Sequence, residues 1–103
     1  MKDRLLHNLF LGFIRIHILF HASESPVYGT ALMQELTHHG YRIGPGTLYP
    51  ILHSLEKKGF LNSQKKVVQG KVRRYYGITK SGMKALASAK IMVKELVQEI
   101  TKE

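Results

Sequence analysis

Gly44-Pro45-Gly46-Thr47-Leu48-Tyr49-Pro50-Ile51-Leu52-His53-Ser54-Leu55-Glu56-Lys57-Lys58-Gly59-Phe60-Leu61 is the stretch on which the fold turns. Pro45 suits the first turn of a helix, and Gly59 suits its end. Leu48, Ile51, Leu52 and Leu55 recur at i, i+3, i+4 and i+7 and form one apolar face. Gly46, Thr47, Tyr49, Pro50, His53, Ser54 and Lys57 fall off that face. The spacing predicts a short helix with one side for a core and another side available for contact. Pro50 is an anomaly, because a proline in an ordinary helix interior costs about 3 kcal/mol. It lies within the first two turns, where the cost is smaller, and it is expected to bend or restrict the helix start.

Downstream, residues 60–66 and 71–78 read as two strands, with Gln69-Gly70 at the turn. Residues 57–80 carry Lys57, Lys58, Lys65, Lys66, Lys71, Arg73, Arg74 and Lys80, with no acid among them. Such a run can be a plain solvated face, but this one lies over a hairpin and interleaves with Tyr75 and Tyr76. Alternation puts Val72, Tyr76 and Ile78 on one side, with Tyr76 in the core. It sends Arg73 and Arg74 to opposite faces, so that one of them is expected to reach a nucleic acid. A helix and a basic hairpin are the two parts a winged helix uses to hold DNA.

The outer face of the helix fits that use. Small residues at its N-terminal end let it sit deep in a major groove. Thr47 and Tyr49 can donate to phosphates or touch thymine methyls, and the helix dipole favours phosphate. None of these positions is Arg, Asn or Gln, the side chains that read guanine or adenine bidentately. Affinity is therefore expected to come largely from phosphates and DNA shape.

Upstream, a helix is expected from about Asp3 to about His21, apolar nearly all round through Leu5, Leu6, Leu9, Phe10, Phe13, Ile14, Ile16, Leu19 and Phe20. Such a helix must be buried on more than one side, one of them against a second subunit. Ser25-Pro26 breaks the chain. A second helix follows from Gly29 to His38, with Tyr28, Leu32 and Leu36 as its core stripe and Gly40 ending it. After the hairpin, Thr79 is a good N-cap for a last helix running to about Thr101. Leu86, Ala89, Met92, Val93, Leu96, Val97 and Ile100 make one long stripe with no local core left to cover it. The least demanding partner is a second copy. Residues 1–79 thus read as a DNA-binding unit and residues 80–103 as a dimerisation helix. The expected interface is Leu6, Phe10 and Phe13 together with that stripe.

Charge and composition agree. Sixteen Lys+Arg stand against seven Asp+Glu, a net charge of +9 on 103 residues, which suits a polyanionic partner. There are no cysteines, so disulfides, thiolate zinc sites and cysteine nucleophiles are excluded. A reducing cytoplasm is compatible with this. The apolar run Leu5–Phe20 is interrupted by His7, Asn8, Arg15 and His17 and reads as too short to span a bilayer. His21-Ala22-Ser23-Glu24 is a poor signal-peptide cleavage site. A cytoplasmic protein with no membrane partner is expected.

No enzymatic motif is present. There is no phosphate-cradling Gly-rich loop after a strand and no nucleophile elbow. Glu56 is expected to pair with a basic hairpin residue. His17 and His21 stand four apart, a spacing able to hold a metal, but no third ligand is near in sequence and the Glu of the hydrolytic zinc motif is missing. Packing is the simpler explanation, and His38-His39 suits a helix C-terminus. No metal or cofactor is expected.

Pro45-Gly46-Thr47-Leu48-Tyr49-Pro50, with Leu52, Leu55, Glu56 and Gly59, closely resembles the signature of PadR-type transcriptional regulators. Tyr28-Gly29, His39-Gly40-Tyr41 and Arg74-x-Tyr76-x-Ile78-Thr79-x-x-Gly82 match as well. The resemblance covers roughly residues 5–82. It implies a mainly α fold with a small β-hairpin (α+β), a winged helix-turn-helix dimer that represses genes from an inverted-repeat operator. It accounts for Pro50 as a family feature. It carries over Tyr28, Gly29, Thr47, Tyr49, Pro50 and the basic wing as DNA contacts. Gly44 departs from the serine usual there.

The single C-terminal helix is similar to the short branch of the family. Some members of that branch bind planar compounds between paired tryptophans at the dimer interface. This chain has no Trp, and Phe10, Phe13 and Phe20 are its candidates for lining a pocket for a small apolar or aromatic effector. A function of another class stays open: a winged-helix interaction module that binds an acidic protein.

Overall fold

The hairpin sets the frame. In the computed structural model, which describes residues 4–102, β1 (Leu61–Val68) and β2 (Lys71–Ile78) pair antiparallel from Leu61↔Ile78 to Val68↔Lys71. Gln69 and Gly70 both have positive φ, 51° and 79°. That is the geometry of a two-residue type I′ turn, whose twist matches the strands. The expected first strand began at 60 and ended at 66; pairing carries it on to Val68, because the tight turn closes the ladder at its end.

A further pairing was not legible from the sequence. Val27 N–H donates to the Tyr76 carbonyl at 2.9 Å, and Tyr76 N–H donates to the Val27 carbonyl at 2.7 Å. The segment ahead of α2 (Gly29–His38) is thereby fastened near the C-terminal end of β2.

The remaining elements are α1 (Arg4–Glu24), α3 (Pro45–Lys57) and α4 (Lys80–Ile100). The expected start of α1 at Asp3 lies outside the described residues. One core joins all the elements: Ile14, Ile18, Leu19 and Ala22 of α1, Leu32 and Leu36 of α2, Leu48, Ile51, Leu52 and Leu55 of α3, Leu61 and Tyr76 of the hairpin, and Leu86 of α4. The i, i+3, i+4, i+7 face of α3 is buried as its spacing predicts. Among the described residues no polar or charged residue is buried.

α1 spans 21 residues, longer than the apolar run suggested, and is long and apolar enough to cross a bilayer. Here its C-terminal half is instead a core helix. Its N-terminal half is not buried on several sides within the protomer: Leu5 and Leu9 are exposed. α3 continues through Pro50. The proline deprives the Gly46 carbonyl of its donor, but Gly46 is exposed, so the group is not stranded in the core.

Thr79 caps α4 as expected. Its Oγ1 accepts from Gly82 N–H at 3.0 Å and donates to the Gly59 carbonyl at 2.6 Å. One hydroxyl thereby ties the end of α3 to the start of α4. Gly44 caps α3 with no side-chain hydrogen bond, which is the consequence of lacking the serine.

Candidate nucleic-acid interface

α3 and the wing face a common cleft. Tyr49 of α3, Tyr28 and Gly29 at the start of α2, and Lys71, Arg73 and Arg74 of β2 line a recess of about 540 Å³. Its walls are therefore the helix-turn-helix on one side and the cationic strand on the other.

On α3, Gly46, Thr47, Pro50, His53 and Lys57 are exposed. Tyr49 is half-buried, because its ring lies against Gly29. A Cβ added at Gly29 would stand 2.7 Å from Tyr49 Cε1, closer than real side chains pack. Gly29 is itself buried, and its lack of a side chain makes the room that Tyr49 occupies.

In the wing, cross-strand pairing sets Lys65 directly against Arg74 and Lys66 against Arg73. Like charges opposite one another destabilise a hairpin, and a polyanion relieves the repulsion. The arginines are held in place. The Arg73 guanidinium sits 4.5 Å from the centre of the Tyr28 ring, Tyr28 meets Tyr75 edge-on at 5.2 Å, and Lys66 Nζ lies 5.4 Å from the Tyr75 ring centre. A hydrogen bond to Tyr75 holds the Arg73 pKa above its ordinary value. Arg74 Nη1 donates to Ser63 Oγ at 2.9 Å, and Ser63 donates to Glu56 Oε2 at 2.6 Å. Glu56 thus reaches the basic hairpin through Ser63 rather than by a direct ion pair.

Both Arg73 and Arg74 line the cleft. Val72 does not share the core with Tyr76: the hairpin tip projects past the core, leaving Val72 66% exposed opposite Val67 at 73%. Tyr76 is buried as expected, and burial raises its phenol pKa above the ordinary value.

The expected interface residues fall into three groups. Leu6, Phe13, Met92, Leu96, Val97 and Ile100 are exposed, whereas Phe10, Ala89 and Val93 are half-buried. Leu86 belongs to the protomer's own core, because it sits where α4 leaves the wing. Ile91, outside the expected stripe, is 70% exposed. Between α1 and α4 an apolar cavity of about 460 Å³ is lined by Phe13, Ile16, Phe20, Tyr41 and Val93. Phe10 packs against Tyr41, with ring centres 5.5 Å apart.

The sequence model of the PadR-like family of transcriptional regulators matches residues 18–88. The transcriptional regulator Rv3488 of Mycobacterium tuberculosis is 48% identical over 87 residues, covering 84% of this chain and 81% of that protein. Among solved structures, a PadR family transcriptional regulator from Eggerthella lenta superposes with a TM-score of 0.83 at 32% identity, over 95% of this chain and 87% of the other. The smu.1704 protein of Streptococcus mutans gives 0.80 at 34% identity, over 85% and 82%.

Proposed function

Because the chain belongs to the PadR-like family of transcriptional regulators, we propose that it is a sequence-specific duplex-DNA-binding regulator, a cytoplasmic homodimeric repressor acting on an inverted-repeat operator. The observation that carries this reading is the recess that Tyr49 of α3 and the start of α2 form with the cationic strand β2. The exposed Thr47, Pro50, His53 and Lys57 enter a major groove, with Tyr49 supporting them against Gly29. Lys65, Lys66, Lys71, Arg73 and Arg74 engage flanking phosphates. The like-charge pairs across the wing favour a polyanion in that place.

Residues 80–103 act as the dimerisation helix. Support comes from the exposed stripe of Ile91, Met92, Leu96, Val97 and Ile100 and from an apolar groove that Leu9, Phe13, Met92 and Leu96 line between α1 and α4. A second copy covers both, and its two recognition helices then enter major grooves about one helical turn apart. The cavity at Phe13 and Phe20 suits a small apolar or aromatic effector.

Capture of fragments of the source genome by the purified chain, followed by footprinting, tests this reading. Recovery of a recurrent inverted repeat with paired major-groove protections is expected. Recovery of random fragments without protection would overturn it.

A further inference from the structure

Three imidazoles that are scattered in sequence meet where α1 passes the end of α2. His17 and His21 stand one turn apart on α1, and His39 is the residue that closes α2. Ring centres are 4.7 Å apart for His17 and His39, 5.8 Å for His21 and His39, and 6.2 Å for His17 and His21. One nitrogen from each lies within 4.8 Å of the others. His21 Nε2 is buried with no hydrogen-bond partner, and Glu35 Oε2 stands 3.9 Å from it. Glu35 precedes His39 by one turn, and its carboxylate approaches the three-imidazole cluster at His21. The sequence showed only the His17/His21 pair, because His39 is brought in by tertiary packing.

We infer that His17, His21, His39 and Glu35 form a binding site for one divalent transition-metal ion of the Zn(II) type. Three imidazoles and a carboxylate suit zinc, cobalt or nickel, and four donors suit tetrahedral coordination. Metal–nitrogen bonds of about 2.0–2.1 Å require nitrogens about 3.3 Å apart in a tetrahedron. Closing from 4.8 Å calls on the side chains of His39 and Glu35, which are exposed, to turn inward. An ion takes up the unpartnered His21 nitrogen, which packing alone leaves unexplained. The ion clips α1 to the end of α2, beside the Tyr41-Arg42-Ile43 segment that leads into α3.

The test uses the full chain purified without a histidine tag and stripped with a chelator. Titration with Co(II) is followed by visible absorption, and Zn(II) is then added in competition. One ion per chain with tetrahedral Co(II) bands is expected. His39→Ala alters only an exposed side chain, and circular dichroism checks its fold. Both His39→Ala and His17→Ala are expected to abolish the bands, Glu35→Gln to weaken binding on the order of 10- to 100-fold, and His38→Ala to leave it unchanged. Absence of tetrahedral bands at micromolar Co(II), or equal binding by folded His39→Ala protein, would overturn the site and leave the three rings as simple packing.

Discussion

Gly29 and Tyr49 are fitted to each other: the tyrosine ring fills the space a side chain at Gly29 would need, with Cζ 2.6 Å from where its Cβ would stand. The first helix of the helix-turn-helix and the recognition helix are thereby held at a fixed approach. The contact lies beside the cleft that faces the wing. Gly29→Ala should destabilise the fold by about 1–3 kcal/mol through overpacking and weaken DNA binding by displacing α3. Truncating Tyr49 to Ala in the same chain should recover part of the loss. Urea unfolding of the double-mutant cycle measures the coupling, expected at about 0.5–3 kcal/mol.

Removing charge from the wing should act on all DNA sequences alike. Lys65, Lys66 and Lys71 are exposed and offer phosphate contacts without base readout. Their triple alanine variant should lower affinity for every duplex and reduce the slope of log affinity against log salt by roughly 3. Fluorescence anisotropy across a salt series measures it. Unchanged affinity would remove the wing from the interface.

Thr79 joins the end of α3 to the start of α4 through one hydroxyl. Thr79→Ala should cost about 0.5–2 kcal/mol in chemical denaturation, and Thr79→Ser should retain most of the stability. An equal loss in both would mean that the methyl group, not the cap, matters.

Met92 and Val97 are 70% and 48% exposed and contribute little to the protomer's core. Changing both to Lys should leave helical content unchanged while converting a dimer to a monomer in sedimentation at micromolar concentration. A wild-type chain that sediments as a monomer would contradict the role given to α4.

Much of this was legible because the signals are local. The apolar face of α3, the Gln69-Gly70 turn and the Thr79 cap each depend on residues within a turn or two of one another. Val27 gave no signal: a single residue pairing with Tyr76 has no periodicity to read. In the sequence His39 reads as an ordinary helix end, because its neighbours His17 and His21 lie on another helix. Leu86 shares the stripe of α4, yet the hairpin and α1 claim it for the core, and only packing distinguishes it from Met92. Val72 follows the alternation of β2, but the core stops short of the hairpin tip. Pattern therefore identified the parts of the cleft between the helix-turn-helix and the wing, and tertiary packing decided which side chains line it.

The most direct test of the central claim is competition binding by anisotropy at physiological salt, setting promoter-region duplex DNA against polyglutamate of matched charge. The wild-type chain should prefer its duplex, with a preference lost both on Thr47→Glu in α3 and on Lys66→Glu in the wing. Equal binding to the two polyanions, unaffected by Thr47→Glu, would contradict the account and favour an acidic protein as partner.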